Sequence, residues 1–190
     1  MCLLCEMTFL GFAEPQESML ASYADALKRG WSSNTVRDVS AVELAEIERD
    51  PAAFIAARRD DAPLGTIRLP DGREVGKLPG RIRWIWDGEF SGAINLRWPA
   101  DGGRLPPHVL GHVGYSVVPW KQRHGYARKA LRHMLSEARD VGLKRLEVST
   151  DAENVASQKV VLANGGRFEK TYTGAYWGDQ LKHLYVIDLV

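Results

Sequence analysis

The amino-acid sequence predicts a single domain of the mixed α/β (α+β) class, on three observations. Residues 81–98 alternate apolar and polar side chains on both sides of Asp87-Gly88, as two antiparallel strands joined by a tight turn would. Val109 to Val118 repeats with period two, Gly125 to Val141 with a helical period, and Lys144 to Thr150 with period two again. A strand–helix–strand unit of this kind lays its two strands side by side in one direction. Finally, 190 residues, 45% hydrophobic and 26% charged, suffice for one sizeable core.

Taken in order, Met7 to Ala13 reads as a first strand. Glu17 to Arg29 sets Met19, Leu20, Tyr23, Ala24 and Leu27 at the spacing of an amphipathic helix, which Gly30 stops. A second helical pattern runs from Ala41 through Ala57 with Leu44, Ile47, Phe54 and Ile55 inward, and Pro51 should kink or divide it. Asp60 to Gly80, rich in Gly, Pro and charge, reads as a long surface excursion. In the hairpin, Ile82, Trp84 and Trp86 share one face of the first strand, and Glu89 to Trp98 returns as its partner. Pro99 to Pro107 can only be a loop. After the central unit, Gly142 ends the long helix, and Asn154 caps a short one that stops at Asn164-Gly165-Gly166. Arg167 to Thr173 and His183 to Val190 close the chain as strands, with Tyr176 and Trp177 in the irregular stretch between them.

Composition narrows the functions. A net charge of +1 gives no general attraction to nucleic acid or to an anionic membrane, so any anion site must be local. No apolar run approaches ~18 residues, and the N-terminal MCLLCEMTFLGF lacks the basic start of a signal peptide. Cys2 and Cys5 form a lone C-x-x-C without further ligands, which reads as incidental thiols rather than a metal site. Together these features lead us to expect a cytoplasmic location.

The chemistry concentrates where the central strand enters the long helix. Gln122 to Ala127, QRHGYA, fits the pattern Q/R-x-x-G-x-G/A. Amides in the first turn of a helix have no internal partner and can bind phosphate oxygens. Gly125 removes the side chain where backbone must approach an anion, Ala127 keeps the next contact small, and Lys121 and Arg123 add positive charge. Read alone, the pattern also fits an ordinary strand–helix turn with solvated basic residues.

GHVGYSVVP, then QRHGYARKAL, then Asn154-x-x-Ser157, then NGGRF at 164–168 together resemble the GNAT acyltransferase superfamily. The specific likeness spans Leu96 to Phe168, and the order of elements matches the GNAT fold over nearly the whole chain. LRW and the HVGYSV strand look like a bacterial acetyltransferase branch of it. The resemblance implies a mixed, mostly antiparallel sheet in which Val109–Val118 and Lys144–Thr150 splay apart. It implies that acetyl-CoA is the cofactor, with the cofactor-binding core at about 109–168. The pantetheine arm would pair with backbone near Val117 and Val118, and a free amide there, assigned to Val118, would hold the oxyanion. The pyrophosphate would meet Gln122, Arg123, His124, Gly125, Tyr126, Ala127 and Arg128. Asn154 and Ser157 match positions that contact the arm or supply polarity beside it.

A primary amine must lose a proton to react. His112 is placed on the central strand where family members carry a catalytic carboxylate, and an imidazole suits a base at neutral pH. The same residue reads equally as a histidine packed in the sheet. Asp87 and Glu89 are rival bases. The family's leaving-group Tyr falls at Val161, so that acid is missing; Ser157, Tyr172 or water remain. The function implied is acetyl transfer to a small-molecule or peptide amine by direct attack, with neither cysteine near the cradle in sequence. The alternative is a non-catalytic acyl-CoA sensor of the same fold. A homodimer is what the family suggests.

Overall fold

The hairpin of β4 (Gly80–Trp86) and β5 (Phe90–Arg97) lies at the centre because both of its faces are covered. Ile85, Ile94 and Leu96 pack on one side against Leu131, Met134 and Ala138. Trp84 and Phe90 pack on the other against Tyr23, Trp31 and Phe54. Each fully buried Ile or Leu contributes about 1.5–3 kcal/mol over leaving it in water, so the two layers fix the strand faces.

The structure is a computed structural model that describes residues 10–59, 61–62, 65–173, 176 and 178–189. Cys2, Cys5, the start of the expected first strand and Trp177 lie outside the described residues. The described part of that strand is β1 (Gly11–Ala13), followed by α1 (Leu20–Lys28), α2 (Ser40–Arg49) and α3 (Pro51–Arg59). Pro51 divides the second helical pattern. It sits at the first position of α3, where no amide is needed, and Asp50 caps that helix through Ala53's N–H at 2.9 Å. The excursion at 60–80 holds a small hairpin, β2 (Thr66–Arg68) with β3 (Glu74–Gly76), that its Gly, Pro and charge content does not announce.

The rest follows the expected order: β6 (Val113–Val117), α4 (Tyr126–Asp140), β7 (Arg145–Asp151), α5 (Val155–Leu162), β8 (Arg167–Thr173) and β9 (Leu181–Asp188). Among the described residues the strands form sheets in the orders β1-β4-β5-β6 and β7-β9-β8, all pairings antiparallel, with β2-β3 apart. No helix here is long and apolar enough to cross a membrane.

β6 is shorter than the expected Val109–Val118. The break is at His112, whose N–H donates to Glu147's carbonyl on β7 (2.8 Å) while its own carbonyl accepts from Arg97's N–H on β5 (2.8 Å). In a regular strand both groups of one residue point to the same neighbour. His112 therefore turns the backbone from one sheet to the other. Gly111 permits this, since a Cβ there would lie 2.9 Å from Glu147's carbonyl oxygen.

Candidate active site

β6 and β7 touch at His112–Glu147 and then open into a gap. The pairing phase on β6 is set at both ends: Arg97's N–H reaches His112's carbonyl, and Val118's N–H donates to Ser91's carbonyl at 3.0 Å. Antiparallel ladders alternate, so Gly114, Ser116 and Val118, together with His112's carbonyl, direct their polar backbone to β5. Val113, Tyr115 and Val117 direct theirs into the gap. This corrects one expectation. Val118's amide is committed to Ser91 and its side chain is fully buried, so it cannot hold an oxyanion. The gap-facing amides are those of Val113, Tyr115 and Val117, and of these residues Val113 and Tyr115 line a cavity of about 270 Å³. Val117 keeps its expected place beside the gap.

That cavity passes between the strands. One wall carries Tyr115, Thr150, Asn154 and Ser157, the other Gly114, Ser149, Asp151 and Lys182, with Thr35 and Val36 at its edge. Tyr115 leans toward α5, its hydroxyl donating to Ser157's carbonyl at 3.3 Å, and burial pushes its pKa up to about 12 against that bond. Asn154 caps α5 by accepting from Ser157's N–H at 3.0 Å. Thr150 is 6% exposed, and among the described residues its hydroxyl has no partner, although it belongs to the cavity wall. On the opposite face Ser149 and Tyr172 share a hydrogen bond between hydroxyls, and Lys182 meets Asp151 at 2.6 Å.

The loop 119–125 leads from β6 into the start of α4 at Gly125. Gly125 has φ 78, a left-handed value that costs an ordinary L-residue roughly 1–2 kcal/mol, and it caps α4. Arg123 shares this conformation at φ 66. The ladder of α4 begins with Lys129's N–H to Gly125's carbonyl, so the amides of Tyr126, Ala127 and Arg128 have no partner inside the helix. Gln122 braces the loop by donating to Val117's carbonyl at 3.3 Å, and His124's Nδ1 lies 2.8 Å from Gln122's carbonyl.

Lys121 does not serve the cradle as the sequence suggested. It is held by Asp87, and by Glu89 at 2.7 Å. Asp87 also accepts from Tyr126's hydroxyl at 2.6 Å. Burial would raise the Asp87 carboxyl, but the bonds from Lys121 and Tyr126 outweigh it and hold the pKa below the usual range. That carboxylate pushes Tyr126 up to about 12. The hairpin turn is thus fastened to the first turn of α4, a coupling across 39 residues that no local pattern announces. Asp87 is occupied as a brace, which argues against it as the base.

His112 is 6% exposed. Its Nδ1 accepts Glu147's N–H at 3.0 Å, so together with the backbone bond it clamps Glu147 on both polar groups. Burial, then the Arg97 charge, lower its pKa from 6.5 to about 4. The lone pair at Nδ1 is used by the fold. Val161, where the acid was missing, is fully buried in the core beside Gly166. Asn164 donates to the carbonyls of Val160 (2.8 Å) and Arg128 (3.2 Å), tying the end of α5 to the first turn of α4.

Residues 19–167 match the acetyltransferase (GNAT) domain family. The chain belongs to that family. No curated protein matches the sequence significantly. Among solved structures, similar folds include a Salmonella typhimurium acetyltransferase that modifies the N-terminal serine of ribosomal protein L7/L12, at 14% identity and TM-score 0.60, covering 95% of each chain. The microcin C7 self-immunity acetyltransferase MccE, in complex with acetyl-CoA and AMP, is 12% identical with TM-score 0.59, covering 94% of this chain and 92% of that one. RimL, an L7/L12 α-N-protein acetyltransferase in complex with coenzyme A, is 13% identical with TM-score 0.59, covering 95% and 94%. At these identities the likeness establishes the shared GNAT fold.

Proposed function

We propose that this GNAT protein transfers acetyl from acetyl-CoA to a primary amine, by direct attack with both substrates bound. The observation that carries the reading is the juxtaposition of an open β6–β7 gap, with unpaired backbone amides along β6, and the Gly125-led start of α4 beside it. Known GNAT relatives crystallised with acetyl-CoA or coenzyme A support the cofactor.

The residues fit such a group. Acetyl-CoA supplies a thioester whose C–S bond is exchanged for the C–N bond of an amide. The amides of Tyr126, Ala127 and Arg128 bind phosphate oxygens, with the helix dipole and Arg123 adding positive potential. Val117's backbone and the unpartnered Thr150 hydroxyl receive polar groups of the arm. Tyr115's N–H, rather than Val118's, is the oxyanion donor. Ser157 on the cavity wall, and Ser149 with its partner Tyr172, are hydroxyls available for proton transfer, while His112 positions the strands. No cysteine occurs among the described residues to take the acyl group covalently.

The occupied His112 lone pair and the buried Val161 favour a second reading, an acyl-CoA-binding module without turnover. One experiment separates the two. Acetyl-CoA should raise the thermal midpoint in either case, but only the enzyme releases free thiol when a broad panel of amines is added. Protection without thiol release across the panel leaves the binding module.

A further inference from the structure

We infer that Arg97 is the anion-binding residue of the acceptor subsite, and that the acceptor is an amine bearing a carboxylate or phosphate close to its nitrogen. This rests on the acetyltransferase reading above. Ile94 and Leu96 face the α4 core, so alternation puts Asn95 and Arg97 on the opposite face of β5, the face where Ser116 accepts a bond from Trp31. That is the side of the gap away from α5.

Arg97 is treated differently from its neighbours. Arg81 and Arg83 share Glu137 and take Asp61 and Glu14 in addition, and Arg58 has Glu43 at 2.7 Å. Arg97 is partly buried as they are, yet among the described residues its side chain has Asn95's Oδ1 at 3.1 Å and no carboxylate. A cation withdrawn from water without a counter-ion is costly, and burial lowers its pKa accordingly. An anion supplied by a ligand would offset that cost.

The guanidinium also lies beside the cavity. A Cβ on Gly114 would come within 3.0 Å of Arg97's Nη2, and Gly114 is part of the cavity wall. Glycine at 114 makes room for the Arg97 guanidinium and the Asn95 amide, which lie where a side chain would otherwise stand. Tyr115, whose amide is assigned to the oxyanion, is the next residue, roughly 3.3 Å along the strand. An anion held by Arg97 therefore sits close to the reacting nitrogen. The other charges on this face are already matched, Asp151 with Lys182 and Glu147 with Arg145 at 3.8 Å. A planar guanidinium suits carboxylate and phosphate equally.

The test uses matched acceptors: amino acids against their carboxamides, and 2-aminoethyl phosphate against ethanolamine. The expected result is a kcat/KM at least about tenfold higher for the anionic members. In Arg97→Gln that ratio should collapse toward one, and Arg97→Lys should restore part of it. Equal rates for matched pairs in the wild type, or a preference that survives in Arg97→Gln, overturns the subsite and leaves the acetyltransferase reading intact. If no acceptor releases thiol, that reading fails, and binding decides the subsite separately. 2-Aminoethyl phosphate titrated into the acetyl-CoA-bound, ¹⁵N-labelled protein should shift Gly114's amide saturably in the wild type and not in Arg97→Gln. No saturable shift, or the same shift in both proteins, removes Arg97 from the site.

Discussion

The two sides of the β6–β7 gap are made of different materials. Toward the start of α4 the site is largely backbone: first-turn amides, a left-handed glycine, and the open edge of a strand. On the opposite side it is largely side chain: Arg97, Ser149, Tyr172, Asp151 and Lys182, drawn from four strands. A backbone site binds what every member of a family shares, because any sequence with the right conformation reproduces it. A side-chain site is remade by single substitutions, and there one GNAT protein can differ from another in what it accepts.

Gly125→Val tests the backbone side most severely. Forcing a β-branched residue to φ 78 and crowding the cradle should weaken acetyl-CoA by about 100-fold in calorimetry. Unchanged affinity would move the cofactor elsewhere and erase the contrast. His112 tests the junction between the two sides. Its pKa is lowered in the fold, so between pH 6.5 and about 4 the unfolded chain binds a proton that the folded chain does not. Stability should therefore fall as pH drops through that window, by up to about 3 kcal/mol. His112→Ala should cost about 2 kcal/mol at pH 7, read by urea denaturation. His112→Asn, which restores an acceptor for Glu147's N–H, should recover most of that and flatten the acid slope. A folded His112→Asn protein with turnover down by about 100-fold would instead make the imidazole a base.

Asp87→Asn should loosen the hairpin from α4 and raise the acetyl-CoA Kd about fivefold to tenfold, with little effect on matched-acceptor ratios. A change in those ratios would show that the two sides are not independent. The smallest effect is expected for Tyr115→Phe, which keeps the amide and loses only the bond to Ser157's carbonyl: about 1 kcal/mol of stability, and turnover within about threefold. A large loss of turnover would give the Tyr115 hydroxyl a role beyond bracing.

The same contrast explains what the sequence made legible. Element order, the long amphipathic helix and its start at Gly125 are local patterns, and each appears where the periodicity and turn residues indicate. The misplaced oxyanion donor has a different cause. Period-two alternation tells which way a side chain points, but which backbone edge is already paired depends on the register with β5. Val118 and Tyr115 are therefore indistinguishable until Ser91 is seen to claim one of them. Lys121 lies next to the motif and so reads as charge for the cradle, whereas its carboxylates come from a hairpin some 34 residues earlier. Arg97 has no local signature at all, since what marks it is that, among the described residues, no carboxylate meets it in three dimensions.

The single bond-paired vertex at Gly111–His112 has a mechanical consequence. Two strands held at one end and free at the other behave as a pair of tweezers, with the vertex as fulcrum. Val117 lies five residues beyond His112, about 16 Å along an extended strand. A small rotation at the fulcrum thus becomes a several-fold larger excursion at the tips, where the amides of Val117 and Asp151 should exchange hydrogen faster than those of Val113 and Glu147. A ligand bridging the tips would damp that swing far more than one bound at the vertex.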